Sequence, residues 1–150
     1  MAEYSPPTLD WVRKHVEIYE GSGGTKGTTL PNTELPCIIV THHGNKSGAI
    51  RKIPLMRVKV DDGYVLVGSM GGQPKNPVWV YNLRANPDVE IRDATEICRM
   101  RVREVTDEAE RKRLWDAAVA AFPNYAEYQA KTSRRIPVFL AEPRIDGGTV

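Results

Sequence analysis

Three strand-like runs follow one another between Cys37 and Ser69 with only short turns between them: CIIVT, then IPLMRVKV, then YVLVGS. Short runs of β-branched and apolar residues bounded by turn residues read as strands. No helix separates them, so the long crossover that a parallel pair requires is missing. Strands in direct succession pair antiparallel, which excludes a doubly wound parallel sheet. Asp61-Asp62-Gly63 supplies a hairpin turn between the second run and the third.

The rest of the chain extends this pattern. VEIRD and EICRMRVREV read as two more strands, and in the second Cys98, Met100 and Val102 alternate with Arg99, Arg101 and Arg103. IPVFLAE is the closing strand. Helical spacing appears first in TLDWVRKHVEIYE, where Trp11, Val12, His15, Val16 and Tyr19 share a face opposite Arg13, Lys14, Glu17 and Glu20. VWVYNLRA is a second helix: Asn76 reads as its capping residue, Pro77 as its first position, and Asn86-Pro87 as its end. Asp107 with Glu110 opens a third through EAERKRLWDAAVAAF, and NYAEYQAKT is a short fourth piece. About six strands and three or four helices predict an α+β fold, an antiparallel barrel with helices packed outside. Residues 1–35 read as an N-terminal helix plus a flexible arm rich in glycine and threonine, and 36–143 as the core of a single domain spanning 1–150.

Charge and motif content narrow the function classes. The 21 basic residues nearly balance 19 acidic ones, so a general nucleic-acid surface is not expected. The arginine row of the fifth strand reads as a solvated sheet face, with no aromatic platform for base stacking beside it. Cys37 and Cys98 match no metal or redox spacing and read as small buried thiols, which fits a cytoplasmic location. No apolar run reaches the length of a membrane span, and no signal peptide is visible. His42 and His43 are neighbours on a strand end and point to opposite faces, and the third histidine, His15, lies in the first helix. They read as polar turn residues, and no metal is expected. No G-x-G-x-x-G after a strand and no Walker sequence is present.

Three segments remain as candidate binding elements. In GNKSGAIRK, two glycines allow a tight turn, Lys46 and Ser47 add a charge and a hydroxyl, and Arg51 and Lys52 follow within reach. That set suits a phosphate or several carboxylates. On spacing alone a solvated hairpin fits slightly better. In GSMGGQPKNPVWVYNLRANP, Ser69, Gly71 and Gly72 leave room for a flat ligand, and the helix after Asn76 aims its positive end at anything negative nearby. Trp79 sits in its first turn. In FPNYAEYQAKTSRRIP, Tyr125 and Tyr128 share one helical face. Two phenols there could hold a carbonyl or nitro oxygen and supply a proton; a half-buried tyrosine pair is an equal reading.

Together GNKSGAIRKIPL, GSMGGQPKNPVWVYNLRANP and FPNYAEYQAKTSRRIPVFLAEP resemble the deazaflavin-dependent nitroreductase family of actinobacteria. The resemblance runs in register from Pro36 to Pro143, and its most specific part is K-N-P-x-W-x-x-N-L-x-x-N-P. It implies a split β-barrel related to FMN-binding split barrels and the use of coenzyme F420. It further implies hydride transfer from the reduced deazaflavin to a small-molecule acceptor, a quinone or a nitro-aromatic. The cofactor-binding residues that it implies are Asn45, Lys46 and Ser47, then Arg51, Lys52, Ile53, Pro54, Leu55 and Met56. They continue with Val67, Gly68, Ser69 and Met70, then Val78, Trp79, Val80, Tyr81 and Asn82, with Tyr128 beside the substrate. Tyr128 and Ser69 are its catalytic candidates, and Tyr125 joins Tyr128 at the substrate. The family pattern has arginine where Asn45 stands and lysine where Met70 stands. Lys46, Arg51 and Lys52 would form one cluster facing the phosphate and polyglutamate tail of F420. Weak membrane-surface contact to reach a quinone, and a homodimer, complete the expectation. The competing readings are an FMN-dependent split-barrel oxidoreductase and a non-catalytic F420 carrier.

Overall fold

The computed structural model describes residues 3–144. Its strands are β1 (Cys37–His43), β2 (Ile50–Met56), β3 (Lys59–Val60), β4 (Gly63–Val67), β5 (Asp88–Asp93), β6 (Glu96–Glu104) and β7 (Val138–Pro143). Its helices are α1 (Asp10–Gly21), α2 (Val78–Ala85), α3 (Glu108–Ala121) and α4 (Asn124–Lys131), with a 3-10 turn at Met70–Gly72.

All strand pairs between these seven elements are antiparallel, in the order β2-β1-β5-β6-β7-β4-β3. The two edge strands, β2 and β3, are joined by only Arg57 and Val58. Laid flat, seven strands would hold their edges roughly 29 Å apart. Three peptide steps reach at most about 11 Å. The sheet therefore curls until its edges meet, which makes the split barrel. Val65 N–H donates to Val58 O at 2.9 Å, and Arg57 N–H to Pro36 O at 3.0 Å. Asp93 staples the corner: its carboxylate accepts from Arg57 Nε at 2.9 and 3.0 Å and from the Tyr64 hydroxyl at 2.6 Å. The run IPLMRVKV, expected as one strand, is thus two. The break at Arg57-Val58 is forced by closure and is invisible to local pattern.

The barrel interior is apolar. Ile38, Val40, Leu66, Ile91, Met100 and Phe139 meet there, and α2 plugs one end with Trp79, Val80 and Leu83. On the outside, α3 and α4 cover Val65, Val67, Val138 and Leu140 with Leu114, Ala118 and Tyr125. Helix α1 covers β1 through Val16 and Tyr19. The Tyr19 hydroxyl donates to Cys37 O at 3.0 Å and accepts from Ala94 N–H at 2.7 Å, which pins the helix to the β5–β6 turn. Trp11, expected on the buried face of α1, is instead exposed. The arm expected to be flexible is a folded loop. His15 Nε2 bonds Gly27 O at 2.7 Å, Cys37 N–H donates to Thr28 O at 2.9 Å, and Gly24 abuts Ala94 too closely to admit a Cβ. Asp107 caps α3 as expected, accepting from Glu110 N–H at 2.9 Å. In β6 Met100 and Val102 are buried while Arg99, Arg101 and Arg103 are exposed, with Arg101 on Asp88 and Arg103 on Glu110 and Glu142.

Candidate functional site

The β1–β2 turn, the loop after β4, the start of α2 and helix α4 gather around one end of the barrel. In the turn, Gly44 and Ala49 close the hairpin through a 2.8 Å bond, and Gly48 takes a left-handed φ of 72°. A Cβ at Gly44 would lie 3.1 Å from Arg51 Nε and 3.4 Å from Ser47 Oγ, so the Arg51 side chain folds against the turn. Lys46 is exposed. Asn45 N–H donates to Asn82 Oδ1 at 2.9 Å, which ties the turn to α2. Asn82 is 1% exposed, and its Nδ2 is a buried donor with no protein partner. A buried donor of that kind stabilises any ligand acceptor that reaches it.

The loop after β4 has an unusual backbone. Met70, Gly71 and Gly72 take φ of 46°, 63° and 79° in succession. For Met70 this conformation costs on the order of 1–2 kcal/mol. The two glycines differ in surroundings. A Cβ at Gly72 would lie 2.7 Å from Tyr128 O, so this residue lets α4 approach. At Gly71 a Cβ would meet nothing within 4 Å, so open space lies beside the backbone there. Gly68 serves a third purpose, since a Cβ there would strike Val80 at 2.7 Å. Around this opening Met70, Val78 and Tyr81 are 51%, 68% and 45% exposed.

Several residues expected at the site are enclosed in the core or turn to another surface. Arg51 and Lys52 were expected in one cluster, but consecutive strand residues face opposite sides. Lys52 turns to the outer face, where it pairs with Glu20 of α1 and lies 5.6 Å from the Tyr4 ring. A cleft of about 630 Å³ opens there, lined by Tyr4, Glu20, His43, Lys52 and Arg99, away from the glycine loop. Ile53 and Leu55 pack against the barrel interior, and Met56 and Val67 sit under α3 and α4. Trp79 and Val80 are core as well, and Ser69 is buried. Pro54 pairs with Ile39. Tyr128 is half-buried, whereas Tyr125 is buried between Trp115, Phe122 and Tyr128. Burial pushes the Tyr125 phenol well above its ordinary pKa, with the neighbouring Tyr128 adding to the effect.

Asn76 is not the cap of α2. The helix begins after Pro77, whose carbonyl accepts from Val80 N–H at 3.1 Å. The Asn76 oxygen instead accepts from Arg134 Nη1 at 2.7 Å, a charge-assisted bond stronger than an ordinary cap. Arg134 was not singled out by the sequence; nothing local marks an arginine that bonds a loop some sixty residues away. His42 and His43 are strand residues rather than turn residues. His42 is 3% exposed, and desolvation, helped by Arg51 and His43 and opposed by a bond to Val40, lowers its pKa to about 4. Among the described residues no three histidine, cysteine, aspartate or glutamate side chains group as a metal site.

The F420H(2)-dependent quinone reductase family model matches residues 11–143. An F420H(2)-dependent quinone reductase of Mycobacterium tuberculosis is 34% identical over 135 residues, covering 89% of this chain and 90% of that protein. A solved F420-H2 dependent reductase, FDR-A, is 46% identical, with a TM-score of 0.67, over 71% of this chain and 94% of that one. A second solved structure, a domain-swapped dimer, is 43% identical, with a TM-score of 0.70, over 89% of this chain and 98% of that one. The matched stretch contains the turn, the glycine loop, α2 and α4 alike, and the chain belongs to the F420H(2)-dependent quinone reductase family.

Proposed function

We propose that this protein binds F420 in the cradle between the β1–β2 turn, the loop at residues 68–76 and the start of α2, and reduces a quinone. The observation that carries this reading is Asn82. Its oxygen is spent on Asn45 N–H in the turn that carries Lys46, with Arg51 just after it in β2, and its buried Nδ2 has no protein partner. The open space at Gly71 gives a flat ring system access to the loop backbone. These features fit a flat, anionic cofactor. The names of the relatives point to the same pair of reactants.

Bound in its reduced form, F420 supplies the hydride. The chain's own residues do the rest. Lys46 and Arg51 attract the anionic part, and Asn82 and the loop backbone orient the ring. A quinone that accepts a hydride becomes a hydroquinone anion and needs one proton. Tyr128, a half-buried phenol on the helix whose backbone abuts Gly72, would stabilise that oxygen and deliver the proton. A nitro-aromatic acceptor develops charge on oxygen in the same way and fits the same role. Ser69 is too enclosed to share it through its side chain without movement of the loop. A catalytic phenol would have no use in a pure F420 carrier. The exposed Leu9, Trp11 and Ile18 support weak contact of a cytoplasmic protein with a membrane surface, where quinones dissolve. The domain-swapped relative supports a homodimer.

Anaerobic mixing with reduced F420 and a soluble quinone tests the reading. The protein is expected to accelerate quinone reduction saturably with reduced F420, and not with reduced FMN or NADPH. Equal acceleration by reduced FMN, or none by reduced F420, contradicts it.

A further inference from the structure

We propose that Arg134 is a positioning residue of this site: its guanidinium holds the loop at Gly68–Gln73 in shape, and its backbone carbonyl, held by Gln129, joins that loop to the helix carrying Tyr128. The inference rests on the functional reading above for its purpose, but its geometry stands alone. Nη1 donates to Gly68 O at 3.1 Å and to Asn76 Oδ1 at 2.7 Å, Nη2 to Ser69 O at 2.6 Å, and Nε to Gln73 O at 2.8 Å. One side chain thus bonds backbone on both sides of the left-handed run Met70–Gly72.

The loop needs such a partner. Strand β4 ends at Val67, so the carbonyls of Gly68 and Ser69 lie beyond the ladder in buried residues and require donors from elsewhere, while the bond to Gln73 O ties down the exposed far side of the loop. A planar fork with five N–H groups can serve several carbonyls at once, and an ammonium cannot reproduce that geometry. The same clamp reaches α4. Gln129 Nε2 donates to Arg134 O at 2.8 Å, and Gln129 Oε1 accepts from Ile136 N–H at 3.0 Å. Gln129 is the residue after Tyr128, whose carbonyl packs on Gly72. Arg134 therefore sets both the loop that bounds the cofactor space and the helix that presents the phenol. The adjacent Arg135 faces away and pairs with Glu108 at 2.6 Å on the surface.

The test compares Arg134→Ala, Arg134→Lys and Arg135→Ala by amide exchange without cofactor and by F420 titration. Gly72 N–H bonds Ser69 O and Gln73 N–H bonds Met70 O, both at 2.9–3.1 Å, so these amides report the loop directly. Arg134→Ala removes four charge-assisted bonds and is expected to speed their exchange and weaken F420 binding, each by at least about tenfold, the scale of a single such bond. Free guanidinium at millimolar concentration should restore both, Arg134→Lys should not, and Arg135→Ala should match the parent. If Arg134→Ala does not fold, Gln129→Ala keeps the guanidinium and cuts only the link to α4. It is then expected to speed exchange in α4 and lower quinone turnover with little change in F420 affinity. Parental exchange at Gly72 and Gln73 in Arg134→Ala, full function in Arg134→Lys, or a Gln129→Ala protein identical to the parent overturns the proposal. A parent that shows no F420 binding sinks the functional reading instead, while the exchange result still decides the clamp.

Discussion

Arg51 and Lys52 are adjacent in sequence and stand on opposite faces of β2, Arg51 against Gly44 and the β1–β2 turn, Lys52 against Glu20 of α1. In the proposed cradle, Arg51 joins Lys46 on the side of the turn, and Lys52 does not. The double variant Lys46→Ala, Arg51→Ala should weaken F420 binding at least tenfold, and parental affinity should fall as salt rises, because surface attraction is screened. Lys52→Ala should leave F420 affinity unchanged. It should lower stability by about 1 kcal/mol, a Tm loss of roughly 2–4 °C, through the lost contact with Glu20. Fluorescence titration and thermal melts of the two variants separate the faces.

Asn76 acts as an acceptor for Arg134 rather than as a helix cap. The two roles predict different rescues. Asn76→Ala should destabilise by about 1–3 kcal/mol, since a charged donor loses its partner. Asn76→Asp, which keeps an oxygen for the guanidinium, should recover most of that loss. Asn76→Ser, a good cap but a shorter reach, should not. Denaturant unfolding of the three proteins gives the ranking, and recovery by serine would restore the cap assignment.

Tyr125 and Tyr128 lie on one face of α4 with ring centroids 6.4 Å apart, yet only Tyr128 is partly open to solvent. Tyr128→Phe keeps the ring and removes the donor. Quinone turnover should drop by roughly ten- to a thousand-fold, the scale of one lost catalytic donor, with F420 affinity nearly unchanged. Tyr125→Phe should leave turnover near the parental rate, because its phenol is enclosed by Trp115 and Phe122. Steady-state kinetics of the pair checks both, and a larger loss in Tyr125→Phe would exchange the two roles.

His42 predicts a pH dependence of stability. Its folded pKa of about 4 lies below the ordinary 6.5, so the unfolded chain binds the extra proton first as pH falls. The contribution of neutral His42 is complete above pH 6.5 and is lost progressively between 6.5 and about 4, by at most on the order of 3 kcal/mol. Carboxylates titrate at the lower end, so the informative range is the upper half of that window. Thermal melts across it should show Tm falling with pH in the parent, and a flatter profile in His42→Leu. Equal slopes would mean that His42 is not buried neutral.

Much of the architecture was legible because it is local. β-branched runs named the strands, the alternation of Met100 and Val102 with arginines named a two-faced strand, and Asp107 named a helix start. What escaped depends on partners far away in sequence. Barrel closure breaks a continuous apolar run at Arg57-Val58, and the reason, pairing of Val58 with Val65 and of Arg57 with Asp93, is tertiary. The capping role of Asn76 yielded to Arg134, fifty-eight residues on. Composition marks a basic turn but does not say which face of a strand a lysine takes, and Lys52 faces Glu20 of α1 rather than Arg51's side. Gly71 and Gly72 read in sequence as room for a flat ligand, but Gly72 makes room for the backbone of α4 at Tyr128. Their division of labour, Gly72 for α4 and Gly71 for open space, needed coordinates.

The most direct test of the cradle is a parallel fluorescence titration of the parent protein with oxidised F420 and with FMN at low and at high salt. F420 should bind saturably at one site per chain, more weakly as salt rises, and FMN should not compete with it. Competition by FMN at comparable affinity, or no saturable F420 signal at low salt, would contradict the account.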